Sequence, residues 1–102
     1  MKLYHGTTIE SALSIMQNGF DLSRAGTNWG LTYGKGIYFT PNYETARFYA
    51  GENGIVISVE LDIKPYYLKK AVSVSSRKRI RIPAEYNCIV SPDGDEYVVL
   101  SL

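Results

Sequence analysis

The chain has 102 residues, 45% of them apolar and 21% charged, and a net charge of +1 at neutral pH. That length suits one compact domain with one core, burying roughly two-thirds of the surface its unfolded chain exposes, and that composition excludes a disordered tail. No apolar run approaches the roughly 18 residues of a membrane span and no charged-then-apolar leader is readable, so neither a membrane anchor nor a secretory signal is expected.

Lys2 to His5 reads as a short opening strand. Thr7-Thr8-Ile9-Glu10 has the spacing of a capping box running from Thr7 to Glu10. It predicts a helix whose apolar positions Ile9, Ala12, Leu13 and Met16 follow the helical period, with Gly19 placed to end it. Phe20 to Tyr33 is mixed and glycine-bearing and reads as a long loop. Lys35 to Phe39 is the next strand. Thr40-Pro41 supplies an N-cap and a first-turn proline for a second helix, which Gly51 stops.

Ile55 to Leu61 alternates: Ile55, Ile57, Val59 and Leu61 face one way, Val56, Ser58 and Glu60 the other, as in a half-buried strand. After Pro65 come short candidate strands at Val72 to Val74, Arg79 to Ile82, Tyr86 to Val90 and Glu96 to Leu100. Pro92-Asp93-Gly94 makes the turn between the last two. Two early helices and about six strands predict an α+β domain with a split antiparallel β-sheet core, occupying residues 1–102 as one domain.

Six of the eleven Lys and Arg residues fall between Lys69 and Arg81, a segment that suits phosphates, an acidic protein, a nucleic acid backbone or simply solvent. The single cysteine, Cys88, has no internal disulfide partner and sits in the apolar run Cys88-Ile89-Val90. It is expected to be buried and inert, which suits the cytoplasm. One histidine and one cysteine do not make a zinc site. Gly34-Lys35-Gly36 fits neither phosphate-loop nor dinucleotide-fold spacing.

Three segments carry candidate chemistry: Tyr4-His5-Gly6-Thr7, Tyr33-Gly34-Lys35-Gly36-Ile37-Tyr38-Phe39-Thr40, and Asp95-Glu96-Tyr97-Val98-Val99. Singly, each has a plain structural explanation: a bonded histidine at a strand end, glycines permitting a bulge, and an edge glutamate. Together and in this order they resemble the diphtheria-toxin-like ADP-ribosyltransferases, whose best-known members are the poly-ADP-ribose polymerases. The signature of that family is a histidine in H-G-[ST], a tyrosine in G-K-G-I-Y-F and a glutamate in [DN]-E-Y-[IV]-V. The resemblance runs from residue 4 to residue 100, and a second tyrosine matches at Tyr49 in Ala46-Arg47-Phe48-Tyr49-Ala50.

The resemblance implies NAD⁺ as co-substrate and His5, Tyr38 and Glu96 as the H-Y-E catalytic set. It implies that His5 bonds a ribose hydroxyl, and a cofactor site of His5, Gly6, Thr7, Tyr38, Thr45, Ala46 and Tyr49. Tyr38 and Tyr49 offer π-faces to the cationic nicotinamide ring, and Gly6 lets backbone groups approach the carboxamide. Ala46 falls where many relatives place a serine, leaving Thr45 to supply that contact. A carboxylate at Glu96 would stabilise an oxocarbenium-like ribose, as in glycoside hydrolysis. Strand alternation sends the neighbouring Asp95 to the opposite face.

The expected function is transfer of a single ADP-ribose unit to a macromolecular acceptor, a protein rather than a nucleic acid, by a cytoplasmic monomer. Small size suggests a bacterial or phage effector. NAD⁺ glycohydrolysis is the alternative enzyme, and a module that only binds NAD⁺, ADP-ribose or nucleic acid is the alternative from another class. A tRNA 2′-phosphotransferase is disfavoured by the lone His5.

Overall fold

A computed structural model describes residues 1–21, 33, 36–70 and 81–101. Strand β1 (Lys2–Thr8) leads directly into helix α1 (Ile9–Asn18). Thr7 belongs to the strand, paired with Ile55, so the helix is capped one residue later than the T-x-x-E spacing predicts. The Thr8 hydroxyl accepts the Ser11 amide at 3.1 Å, which leaves Glu10 in the first turn, where its charge favours the helix dipole. Gly19 ends the helix at φ 76°, its amide donating to the Ile15 carbonyl. Of the expected apolar face only Ala12 is buried, while Ile9, Leu13 and Met16 are exposed.

After β2 (Ile37–Phe39), helix α2 (Tyr43–Ala50) is capped by Asn42, whose side chain accepts the Glu44 amide at 3.1 Å. Thr40 is therefore not the cap. Its hydroxyl instead accepts the Asn42 amide, and its backbone joins another strand. Gly51, at φ 74°, stops α2 as expected. The remaining strands are β3 (Gly54–Glu60), β4 (Pro65–Tyr67), β5 (Cys88–Val90) and β6 (Tyr97–Val99). On β3, Ile57 and Val59 are partly buried and Ser58 and Glu60 exposed, as alternation requires, but Ile55 is exposed too. The expected turn sits at 91–94, closed by the Gly94 amide on the Ser91 carbonyl at 2.9 Å. Expected strand 72–74, half of expected strand 79–82, Gly34 and Lys35 lie outside the described residues, as does the basic segment apart from Lys69, Lys70 and Arg81; Arg81 and Ile82 belong to no strand.

Two sheets result, in an α+β arrangement. β1 pairs with β3 antiparallel, and a second sheet runs β2-β6-β5-β4. The all-antiparallel expectation fails at one place: β4 pairs with β5 in parallel. The 20 residues between them, 68–87, are enough for the crossover that parallel neighbours need. Among the described residues the split sheet is stitched at one antiparallel bridge, where Tyr4 and Thr40 exchange both backbone bonds at 2.8 and 2.9 Å.

The larger sheet is covered on both faces. Ile37, Phe39, Cys88, Val90, Tyr97 and Val99 pack with Leu3 of β1 on one side. Ile89 and Val98 pack with Tyr33 on the other, where Tyr38 and Leu100 also lie. Helix α2 lies on β1 and β3 at backbone distance. A Cβ on Gly6 would stand 2.0 Å from the Ala46 carbonyl oxygen, and one on Gly54 would stand 1.9 Å from that of Ala50. Among the described residues, no helix is long and apolar enough to cross a membrane.

Candidate active site

Strand β1 brings His5 beside β2, where its Nδ1 lies 2.7 Å from the Tyr38 carbonyl oxygen. A carbonyl only accepts, so Nδ1 carries the proton and, in the neutral ring, Nε2 keeps a lone pair. Phe20 and Phe39 pack against the imidazole with ring centroids 5.4 and 5.5 Å away. Burial among them pushes the His5 pKa below its usual 6.5, against a smaller upward pull from the Tyr38 carbonyl. The ring is thus held neutral and in one orientation.

Alternation on β2 turns Tyr38 to the opposite face from Ile37 and Phe39, onto the Tyr33, Ile89 and Val98 cluster. Its hydroxyl accepts the Tyr33 amide at 2.9 Å. Burial, and secondarily the Glu96 charge, hold that hydroxyl up at about 12, opposed by the Tyr33 bond. Glu96 immediately precedes β6 and shares the parity of Val98, which pairs with Tyr38, so both residues serve the same face. Helix α2 presents Tyr49, 61% exposed, with its hydroxyl donating to Glu96 Oε1 at 3.4 Å. Burial and then the charge of Asp93 raise the Glu96 pKa, while the Tyr49 bond pulls it back. The field of Glu96 reaches Tyr33, Tyr38 and Tyr49 alike.

The remaining expected site residues are placed unevenly. Gly6 lies two residues beyond Tyr4, so its N–H and C=O turn toward the same edge of β1 that Tyr4 uses for Thr40. Among the described residues no bridge continues along that edge to Gly6. Its missing side chain has a structural cause as well, the close passage of α2. Ala46 is buried beneath that contact, and Thr7 pairs with Ile55 in β1. The Thr45 hydroxyl donates to the Asp95 carboxylate, at 3.1 Å to Oδ1 and 3.0 Å to Oδ2. Its proton is therefore engaged by Asp95.

Asp95 and Glu96 both precede β6 and both reach α2, so Asp95 does not point out of the site as strand alternation predicts. It also accepts the Thr40 hydroxyl at 2.9 Å. Sequence reasoning named Asp95 but turned it away from the site, and it gave no site role to Tyr33 or to the turn residues that hold Glu96. In that turn Ser91 Oγ accepts the Glu96 amide at 2.9 Å and donates to Asp93 Oδ1 at 2.5 Å. The only signal for them is proximity in sequence to the turn and to G-K-G-I-Y-F, since their partners are distant or cross-strand.

No curated protein matches the chain. Residues 1–57 match the poly(ADP-ribose) polymerase catalytic domain, a span that contains His5, Tyr38 and Tyr49 and stops short of Glu96. The chain belongs to the poly(ADP-ribose) polymerase catalytic-domain family, and its class of chemistry is NAD-dependent ADP-ribosyl transfer.

Proposed function

We propose that residues 1–102 act as one catalytic domain that breaks the nicotinamide–ribose bond of NAD⁺ and passes a single ADP-ribose unit to a protein acceptor. His5, Tyr38 and Glu96 form its H-Y-E set. The observation that carries this reading is the bond of Tyr49 to the Glu96 carboxylate, with Tyr38 within reach of that charge and His5 locked to the Tyr38 backbone. Two aromatic side chains from different elements beside one partly buried carboxylate suit a flat cation whose departure leaves positive charge on a sugar. The edge at Gly6, unbridged among the described residues, supports the same assignment, because one N–H and one C=O on one residue match both halves of a carboxamide.

Each side chain then has a definable task. The His5 Nε2 lone pair accepts a ribose hydroxyl and orients the dinucleotide. Tyr38 and Tyr49 wall the nicotinamide ring. As the C1′–N bond breaks, its electron pair leaves with nicotinamide, which departs neutral, and C1′ takes on oxocarbenium character. Glu96 accepts a hydrogen bond from the neighbouring ribose hydroxyl, stabilises that charge, and helps draw the proton from the acceptor that attacks C1′. The half-exposed position of Glu96 and the exposure of Tyr49 also favour a second outcome, in which water attacks and free ADP-ribose forms. The buried thiol of Cys88, held up at about 12, needs no oxidising compartment and suits a cytoplasmic setting.

Incubation with adenine-labelled NAD⁺ and a cell lysate tests the proposal. Label on protein supports transfer, label released only as ADP-ribose moves the assignment to a glycohydrolase, and label on nucleic acid replaces the acceptor class. Intact NAD⁺ throughout overturns the reading.

A further inference from the structure

Helix α2 rests on β1 and β3, whereas Glu96 immediately precedes β6 of the larger sheet, so the carboxylate and the Tyr49 wall are carried by different parts of the split core. Something must hold them in register. The turn that carries Glu96 is closed on itself: Ser91 and Asp93 bond the Glu96 and Asp95 amides and reach neither α2 nor β2. The Tyr49–Glu96 bond is long, at 3.4 Å.

Asp95 makes the crossing. Its carboxylate accepts the hydroxyls of Thr40 and Thr45, spending both oxygens. Each participant neighbours a pocket residue. Asp95 adjoins Glu96, Thr40 follows Tyr38 by two, and Thr45 sits one helical turn before Tyr49 on the same face of α2. Thr40 also carries the backbone bridge to Tyr4, which adjoins His5. Hydrogen bonds to an ionised acceptor are the stronger kind, and threonine, branched at Cβ, holds its hydroxyl on a stiff χ1.

We infer that Asp95 is the positioning residue of this pocket: it ties α2 and the end of β2 to the start of β6, and so sets Glu96 against Tyr38 and Tyr49. The inference rests on the proposed transfer reaction for what the pocket does, but its geometry stands apart from it. Displacement of a reacting group by about 1 Å costs on the order of 100-fold in rate, so loss of the tie reaches turnover through Glu96 without Asp95 touching substrate.

The test uses the full chain with Asp95→Ala, Asp95→Asn, Thr45→Val, Thr45→Ser and the Asp95→Ala/Thr45→Val double variant. Nicotinamide release gives kcat and KM, and tyrosine-ring NMR reads Tyr38 and Tyr49 against the distant Tyr66–Tyr86 pair. Asp95→Ala is expected to lose about 10- to 100-fold in kcat with a smaller rise in KM, and Thr45→Val about 10-fold. The double variant should be no worse than Asp95→Ala, since both remove one tie, and Thr45→Ser should restore near-parent turnover. The Tyr49 and Tyr38 resonances should move while those of Tyr66 and Tyr86 stay.

Should Asp95→Ala not fold, Asp95→Asn and Thr45→Val carry the same comparison. Lower thermal stability with unchanged kcat, KM and Tyr49 resonance would overturn the inference, as would strictly additive losses. A parent chain that releases no nicotinamide while the variants still move Tyr38 and Tyr49 refutes the transferase reading and leaves the positioning role standing. An active parent whose variants match it does the reverse.

Discussion

The Nδ1 of His5 and the backbone carbonyl of Tyr38 lie 2.7 Å apart, joining two residues that are 33 positions apart in sequence. One bond thus sets the orientation of the imidazole and joins the strand that carries it to the strand that carries the first tyrosine wall. Burial also lowers the pKa of this histidine, the only one in the chain. The unfolded chain then binds more protons than the folded one between the folded pKa and 6.5. Stability is accordingly full above pH 6.5, falls as pH drops through that value, and levels off below the folded pKa. The single histidine ring resonance should titrate with a midpoint below 6.5, and His5→Gln should flatten the stability slope in this window. A midpoint at or above 6.5 contradicts the packing described for His5.

Glu96 has the opposite sign. Its raised pKa means that the folded chain holds this proton more tightly than the unfolded one, so ionisation near neutral pH costs stability. Glu96→Gln removes a partly buried charge that Asp93 and Asp95 also repel. Its melting temperature at pH 7 should therefore exceed that of the parent, with the gain vanishing as pH falls below 4.5. A chemically matched exposed control, Asp62→Asn, should show no such gain. An unchanged or lower melting temperature in Glu96→Gln at pH 7 would mean that the carboxylate is solvated or paired.

Gly6 is a packing requirement before it is anything else. The 2.0 Å separation between an added Cβ and the Ala46 carbonyl is far inside contact, so Gly6→Ala must push α2 off β1. Overpacking at backbone atoms should cost about 3 kcal/mol, readable as a lowered denaturant midpoint. A Gly6→Ala chain as stable as the parent would refute the close helix–strand contact.

Much of the fold was legible because its signals are local. Gly19 and Gly51 stop their helices at positive φ, and Pro92-Asp93-Gly94 turns where its composition says it should. Cap positions shifted by one or two residues, since Thr7 and Thr40 are drawn into strand pairing and only the partner strand shows that. The exposed stripe Ile9, Leu13 and Met16 illustrates the limit of periodicity, which identifies an apolar face without saying that anything covers it. For the site, His5, Tyr38, Tyr49 and Glu96 stood out through their motifs. The bond between Thr45 and Asp95 was not legible: it spans 50 residues, and no spacing rule reports a contact of that kind.

Tyr49 separates ring from hydroxyl. Tyr49→Phe keeps the π-face and loses only the 3.4 Å bond to Glu96, so KM for NAD⁺ should stay within about twofold of the parent. Tyr49→Ala removes the wall, and loss of stacking and cation–π attraction worth about 1–2 kcal/mol should raise KM roughly tenfold. Equal KM values for Phe and Ala at this position would exclude Tyr49 from the ligand wall.

The role of Glu96 in chemistry is tested by measuring NAD⁺ binding calorimetrically and nicotinamide release in parallel, on the parent chain and on Glu96→Gln. An interaction made only as the glycosidic bond breaks appears in turnover and not in ground-state affinity. The parent should bind NAD⁺ and release nicotinamide. Glu96→Gln should bind with nearly the same affinity and release nicotinamide about 100-fold more slowly, the scale of one well-placed electrostatic group. Parent-like release from Glu96→Gln, or NAD⁺ that binds to the parent and is never cleaved, would contradict the account.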